Sequence, residues 1–281
     1  MSKRNKTNIF LLIIVILVII VVYNIFAADK ATAPETANNF QVQAEANSTV
    51  APDKYQDISD NQIEAAVLMY HHVGSLPEKA DNIRKGLTVS KEEFETQLKY
   101  LSEKNYKFLT LSELNKVIEK KEVPEKAVVL TFDDGYDDNF NDAWPIMKKY
   151  KAKGTFFIIT SKIDKSEYMS KDQVKELYSA GNEIGSHSIT HPSLEKLKGQ
   201  ALEKELKNSK EDLEILTGGK IVSFCFPAGK YNEETIKALV SNGYKMAVTT
   251  QSSTGSISLD QLLEIKRYRI SPSMSFEARF R

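Results

Sequence analysis

The sequence predicts an α/β protein with a parallel sheet, and three observations carry that prediction. Short apolar runs alternate with amphipathic segments from residue 62 onward, and most of the amphipathic segments have helix start or stop signals. About eight strands fall within about 220 residues, which favours a βα barrel over an open sheet. We therefore expect the functional groups to lie just beyond the C-terminal ends of the strands.

An apolar segment near the N-terminus precedes the predicted barrel. Residues 9–28 contain no charge, and about 20 apolar residues suffice to span a bilayer core of about 30 Å. Lys3, Arg4 and Lys6 lie in residues 1–8, so the positive-inside rule places this stub in the cytoplasm and the rest of the chain outside. We expect a single-pass anchor in the cell membrane with an extracellular domain. The alternative is a cleaved signal peptide and a secreted protein, although the run is long for a signal peptide.

The remaining organisation follows from composition. Residues 29–61 are rich in Ala, Thr, Asn, Gln, Pro and Asp and read as a flexible linker, which leaves residues 62–281 as the folded domain. The 38 basic and 38 acidic residues balance, which argues against a dedicated nucleic-acid partner. The single cysteine, Cys225, excludes a disulfide framework and a multi-cysteine zinc site.

The secondary-structure prediction rests on apolar runs and capping signals. Capping boxes are predicted at Ser90, Thr110 and Ser170, and helix-terminating glycines at Gly181, Gly218 and Gly243. The predicted strands are Ala65–Tyr70, Tyr106–Thr110, Ala127–Phe132, Thr155–Thr160, Glu183–His187, Val222–Phe226, Lys245–Thr249 and Glu264–Ile270.

Four of these strands end in groups that can do chemistry. His71-His72 follow the first strand, Asp133-Asp134 follow a wholly apolar strand, and His187 with His191 come at another strand end. The fourth strand ends in Pro227-Ala228-Gly229. All four histidines of the chain would therefore gather at one end of one sheet.

The histidine and aspartate pairs together suggest an open metal site. Two histidines four residues apart can place ring nitrogens about 2.0–2.1 Å from one metal, and a neighbouring aspartate completes a catalytic type of ligand set. Taken alone, Asp133-Asp134-Gly135 also fits a helix-capping turn, and the histidines also fit a polar loop. The following polar residues are expected to be helix-start and surface groups; they are Asp137, Asp138, Asn139 and Asp142.

The Pro227-Ala228-Gly229 turn can leave a backbone N–H pointing into the site, where it could stabilise an oxyanion. A plain strand-to-loop turn is the alternative. Cys225 is expected to be a small buried filler.

These motifs together resemble the polysaccharide deacetylases, the NodB-homology domain of carbohydrate esterase family four. Thr131-Phe132-Asp133-Asp134-Gly135 matches T-F-D-D-G, and His187 to Pro192 match H-[ST]-x-x-H-P. Phe226 to Gly229 occupy the third motif, usually P-Y-G. The opening Tyr70-His71-His72-Val73 resembles the branch that acts on poly-N-acetylglucosamine. The resemblance covers Ala65 to the end of the chain and implies a distorted (β/α) barrel of seven or eight strands.

The resemblance also implies a role for each matched residue. Asp133 would be the general base, while Asp134, His187 and His191 would bind one divalent metal ion. The backbone N–H of Ala228 would form part of the oxyanion hole. One carboxylate and two imidazoles suit zinc, and cobalt, nickel, manganese and iron are alternatives.

Two departures from the family pattern affect this assignment. Many members have an arginine two residues before the motif-three proline, paired with the base, whereas this chain has Cys225, so the charge partner is expected to be missing. Many members end in a motif whose histidine is the general acid, but no histidine follows His191. His71 is therefore the candidate acid, and His72 is second.

The expected function is metal-dependent removal of N-acetyl groups from an extracellular polysaccharide that contains N-acetylglucosamine, either poly-N-acetylglucosamine or peptidoglycan. Two alternatives remain at this stage. An O-acetyl esterase acting on acetylated xylan-type glycans would use the same site, and a non-catalytic glycan-binding wall protein would explain the two departures.

Overall fold

The computed structural model describes residues 54–272 and 274–279. The predicted membrane anchor at 9–28 and most of the predicted linker lie outside these residues. Within the described ranges, no helix combines the length and apolar character needed to cross a membrane. Residues 54–61 run along the folded domain, where the Gln56 side chain donates to the carbonyl oxygens of Glu64 and Pro124.

A closed barrel of seven parallel strands organises the described part of the chain. The seven strands are β1 (Gln62–Tyr70), β5 (Ala127–Phe132), β6 (Gly154–Ile158), β7 (Glu183–Ser186), β8 (Ser223–Cys225), β9 (Met246–Ser252) and β11 (Ile265–Arg269). Around the barrel, β1 pairs with β5, followed by β6, β7, β8, β9 and β11, and β11 pairs with β1 to close the sheet. The predicted distorted α/β barrel is thus confirmed for this region.

Four short strands lie outside the barrel wall. β4 (Lys107–Leu109) pairs in parallel with β5, and β10 (Ser256–Ser258) runs antiparallel to the start of β1. β2 (His72–Val73) and β3 (Thr88–Val89) form a separate pair. The predicted strand at Tyr106–Thr110 therefore exists as β4, but it flanks the barrel.

The helices cover the outer face, and three of them begin where capping signals predicted. They are α1 (Asn82–Leu87), α2 (Lys91–Glu103), α3 (Leu111–Lys120), α4 (Trp144–Lys149), α5 (Lys171–Ser179), α6 (Gly199–Thr217), α7 (Glu233–Ser241) and α8 (Phe276–Arg279). Ser90, Thr110 and Ser170 form capping boxes for α2, α3 and α5, which confirms those three predictions. Gly218 ends α6 in the left-handed conformation.

Two apolar clusters sit on either side of the barrel wall. Alternate strand residues such as Val67, Val129 and Val248 fill the interior, together with Cys225. Their neighbours, such as Leu68 and Leu130, face outward into the layer beneath the helices. This alternation follows from the two-residue period of a strand and leaves the upper end of the interior for polar groups.

Helix α3 is attached to the lower end of the barrel by a buried carboxylate. Glu183, at the start of β7, accepts hydrogen bonds from the Ser112 backbone N–H at 2.8 Å and from the Thr155 and Ser223 hydroxyls at 2.9 and 2.5 Å. Leu111 N–H donates to the Thr155 hydroxyl at 3.0 Å. The first turn of α3 is therefore held against β6, β7 and β8.

Candidate active site

The predicted site residues converge at the C-terminal end of the barrel. Asp133 and Asp134 follow β5, His187 follows β7, and His71 follows β1. His191 lies on the loop after His187. These five side chains, taken from across the fold, contact one another within one small cluster.

Three of them form a set that fits a divalent ion. The Nε2 atoms of His187 and His191 lie 3.3 and 3.6 Å from Asp134 Oδ1. Ligand atoms on a tetrahedral ion at ~2.1 Å would be separated by about 3.4 Å, so the spacing matches. His187 Nδ1 lies 2.7 Å from the Cys225 carbonyl oxygen, a contact that needs its proton and leaves Nε2 free as a ligand.

For Asp134 and His191, the direction of the pKa shift also suits a metal ion. Burial raises the pKa of Asp134, but the hydrogen bond and charge of His187 outweigh burial, so the net pKa is lowered. Burial, followed by the charge of His187, lowers the pKa of His191. At neutral pH the site therefore offers a carboxylate and a neutral imidazole, the forms that coordinate metals.

A second group of potential metal ligands lies beside the first, but the side chain of Arg267 already contacts two of its members. Asp133, His187 and Cys225 also bring their ligand atoms within 4.8 Å of one another. However, both carboxylate oxygens of Asp133 accept hydrogen bonds from Arg267 at 2.7 Å, and Arg267 lies 3.4 Å from the Cys225 sulfur. A guanidinium between Asp133 and Cys225 disfavours a metal ion there.

Arg267 corrects the prediction that Asp133 has no charge partner. The guanidinium comes from the last barrel strand, is fully buried, and makes a two-pronged ion pair with the carboxylate. Burial raises the pKa of Asp133, but the charge and hydrogen bonds of Arg267 reverse the effect and hold that pKa well below its usual range. Cys225, confirmed as buried, is small enough to leave room for the guanidinium.

The signal for Arg267 was present in the sequence as strand alternation. Ile265 and Arg267 share one face of β11, and that face is buried, while Lys266 is exposed. An arginine on the inward face of the last barrel strand requires a buried anion. Asp133 is a candidate because it directly follows another strand of the same barrel.

His71 lies beside the candidate base. Its Nε2 atom is 3.9 Å from Asp133 Oδ2, and its side chain is 15% exposed, so it can still be reached from solvent. Burial lowers the pKa of His71 and outweighs the opposing charges of Asp133 and Asp134. Asn139 is fully buried and donates to the His71 carbonyl oxygen at 2.8 Å. The prediction that Asn139 is a surface residue is therefore wrong.

His72 points to a different group. Its Nδ1 atom contacts Asp138 Oδ2 at 2.7 Å, and its ring packs on Tyr136 with 3.6 Å between centroids. Burial and then Asp134 raise the pKa of Tyr136, so its hydroxyl keeps its proton beside that carboxylate. His72 supports the wall of the site, and the structure does not bring it to Asp133.

The turn at Ala228 has the form expected of a strained functional loop. Ala228 has φ of +52°, and it is exposed at the crest of the turn. The next two amides, of Gly229 and Lys230, close the turn by donating to the Phe226 and Pro227 carbonyls. Asp134 also has positive φ, and strain of this kind concentrates at functional sites. The oxyanion role of Ala228 stays a prediction.

Comparison with known proteins agrees with this geometry. The family model for polysaccharide deacetylase matches residues 120–247. A Bacillus subtilis protein named as a polysaccharide deacetylase is 36% identical over 240 residues, covering 85% of this chain and 81% of the relative. The poly-β-1,6-N-acetyl-D-glucosamine N-deacetylase of Staphylococcus epidermidis is 30% identical over 232 residues, covering 75% and 78% of the two chains.

A solved structure gives the same result. The Streptococcus pyogenes deacetylase PplD, in complex with acetate, superposes with a TM-score of 0.71 at 32% identity. The match covers 76% of this chain and 96% of that one.

Proposed function

Because the chain belongs to the polysaccharide deacetylase family and is therefore an enzyme of that class, we propose that it hydrolyses N-acetyl groups of N-acetylglucosamine units in a cell-envelope polysaccharide and releases acetate. One observation carries the proposal. The adjacent Asp133 and Asp134 face different partners, Arg267 and the histidine pair, so one carboxylate is available as a base beside a separate metal site.

The residues that would hold the ion are Asp134, His187 and His191, and their spacing and their oxygen and nitrogen ligand atoms suit zinc. A divalent ion in this position supplies Lewis acidity, which lowers the pKa of water and polarises a carbonyl oxygen. The need for such acidity is clear from Asp133, which is ionised at neutral pH but weakly basic because Arg267 stabilises its charge.

The chain's own groups account for the proton transfers. Asp133 takes a proton from the attacking water, and Arg267 keeps the carboxylate in one orientation through two hydrogen bonds. The Ala228 N–H would donate a hydrogen bond to the oxyanion and stabilise its charge. His71, 3.9 Å from Asp133, would return a proton to the leaving amine.

The choice of polysaccharide rests on relatives and on the first strand. The Staphylococcus epidermidis relative is named for poly-β-1,6-N-acetylglucosamine, and Tyr70-His71-His72-Val73 resembles that branch. We infer a β-1,6-linked substrate, with peptidoglycan as the second choice. An anchored or secreted location outside the cell would give the domain access to either one.

An O-acetyl esterase is the second candidate, and the environment of His71 favours it. Burial lowers the pKa of His71, and a poorly protonated acid limits an amine leaving group more than an alcohol. The non-catalytic binding protein loses support, since Arg267 supplies the charge partner that Cys225 does not.

The decisive experiment is to incubate the full-length protein with β-1,6 and β-1,4 N-acetylglucosamine oligomers, peptidoglycan and acetylated xylan, and to measure released acetate. We expect the fastest release from the β-1,6 oligomers. Asp133→Asn keeps the shape of the base but cannot take the proton, so it should lower release by at least about 10²-fold while metal binding remains. Release only from xylan would support the esterase, and an active Asp133→Asn enzyme would remove Asp133 as the base.

A further inference from the structure

The two histidines of the metal site are held in different ways. His187 is buried and fixed by its contact with the Cys225 carbonyl at 2.7 Å. His191 has a side chain that is 34% exposed and sits at the end of a turn in which Ser188 and His191 both have positive φ. L-residues seldom adopt this conformation, so the turn needs support from outside to keep its shape.

Glu205 on α6 provides that support. One carboxylate oxygen accepts from the backbone N–H groups of Ile189 and Thr190 at 2.8 and 2.9 Å, and the other accepts from the Thr190 hydroxyl at 2.8 Å. Glu205 is 8% exposed, and it has no ion-pair partner among residues 54–272 and 274–279. The interactions of this buried acid are thus directed to the turn between the two metal ligands.

The helix that carries Glu205 is itself fixed to the barrel. Ser209, one turn further along, contacts the Ser186 hydroxyl at the end of β7 at 2.7 Å and donates to the Glu205 carbonyl oxygen at 2.7 Å. Leu202 and Leu206 on the same helix lie in the core. Because α6 is hydrogen-bonded to the strand that precedes His187, Glu205 has a fixed position relative to that strand and can hold the turn in place.

We propose that Glu205 is a positioning residue for the metal ion, acting through the 188–190 turn on His191. The inference rests on the metal site of the proposed function. Without the carboxylate, two adjacent N–H groups lose their acceptor, and the turn can relax toward ordinary backbone conformations. His191 would then move away from Asp134, while His187 would stay in place because its anchor at Cys225 is independent.

The test measures zinc affinity of the full-length protein by competition with a chromophoric chelator, without substrate. Glu205→Met keeps the length of the side chain but offers no acceptor to the turn, so it should weaken zinc binding by about 10–100-fold, as is typical when a group supporting a ligand is lost. Glu211→Met, at an exposed position on the same helix paired only with Lys207, should match the wild type. In a His191→Ala background, Glu205→Met should cause little further loss.

A second pair of variants avoids the risk that Glu205→Met fails to fold. Thr190→Val removes one of the three donors with little change in shape, whereas Thr190→Ser keeps it. We expect several-fold weaker zinc binding for Thr190→Val and wild-type binding for Thr190→Ser. Wild-type affinity in both Glu205→Met and Thr190→Val would overturn the role of Glu205 but leave the metal site standing. A wild-type protein that binds no zinc would overturn the metal site, and this inference with it.

Discussion

At the scale of single residues, the state of the candidate base depends on a partner 134 positions away in the sequence. Asp133 could be predicted from its motif, and so could the two histidines, because each follows a strand with a recognisable pattern. Arg267 could not be found by motif, since the expected position holds Cys225. The pairing is spatial: the residue that directly follows β5 meets a buried, inward-facing residue of β11.

Arg267→Met should change both stability and pH dependence. Loss of the guanidinium leaves a buried carboxylate unpaired, so the free energy of unfolding should fall by about 3–5 kcal/mol at pH 7. Burial is then opposed only by the weaker effects of His71 and His187, so the pKa of Asp133 should rise and move the acid limb of kcat/KM to higher pH. Denaturant titration and a pH–rate profile measure the two effects.

The sign of the stability effect can be checked against pH. The pKa of Asp133 is depressed in the folded protein, so its stabilisation is present above the unfolded value of about 3.9 and is lost as pH falls below it. The difference between wild type and Arg267→Met should therefore shrink in acid. Arg269→Met, exposed on the same strand, serves as control and should lose little. An equal loss in both variants would contradict the specific pairing.

His71→Ala should reveal its role through the leaving group. An amine needs a proton to depart, whereas an alcohol depends on it less, so kcat should fall by about 10²–10⁴ on N-acetyl substrates and by less on O-acetyl ones. Zinc affinity should be unchanged because His71 is not among the three predicted ligands. Equal losses on both substrate types would argue against His71 as the acid.

At the scale of elements, the sequence pattern predicts where the strands lie better than it predicts which of them belong to the barrel wall. Apolar runs locate a strand because a buried strand must be apolar on both faces, as Ala127–Phe132 is. The same criterion does not tell a wall strand from a flanking one. β4 pairs on one side only, and its residues are partly exposed, which its sequence does not indicate.

The attachment of α3 through Glu183 makes a prediction at this scale. Burial raises the pKa of Glu183, so its ionised form carries an energetic penalty that grows as pH rises from about 4.5 through the folded value. Glu183→Gln can keep all three contacts, because the Ser223 hydroxyl can accept from the new amide. Its stability should equal or exceed that of the wild type at pH 7.

Glu183→Ala, in contrast, should lower the free energy of unfolding by about 1–3 kcal/mol, because the Ser112 N–H and two hydroxyls lose their buried partner. Denaturant titration of both variants at pH 5 and pH 7 tests the contrast. A large loss in Glu183→Gln would mean that the negative charge at the α3 N-terminus is itself required.

At the scale of the whole molecule, the candidate site combines residues that follow or belong to β1, β5, β7 and β11. Binding of a metal ion there should therefore be linked to the stability of the whole fold. Zinc at about 100 times its dissociation constant should stabilise the fold by about 2.7 kcal/mol and raise Tm by roughly 5–10 °C. A chelator should reverse the shift, and His187→Ala should abolish it. No shift with zinc, cobalt, nickel or manganese would contradict the metal site.

The barrel itself could be predicted from alternation and strand count, because repeated βα units close in few ways. The hydrogen bonds from Asn139 to the His71 carbonyl and from the 188–190 turn to Glu205 could not be predicted from the sequence, since each joins residues from separate elements. The membrane anchor remains a prediction from apolar length and flanking charge.

The closing position of β11 has a consequence for synthesis of the chain. β1 has its barrel neighbours at residues 127–132 and 265–269, so one edge of the first strand stays unpaired until residues 265–269 have been synthesised. Unpaired edges invite aggregation. A chain that stops before residue 265 would lack both the final wall of the barrel and the only arginine that neutralises Asp133 within the described residues. Truncated products should therefore be insoluble or rapidly degraded, and should not accumulate as partially active enzyme.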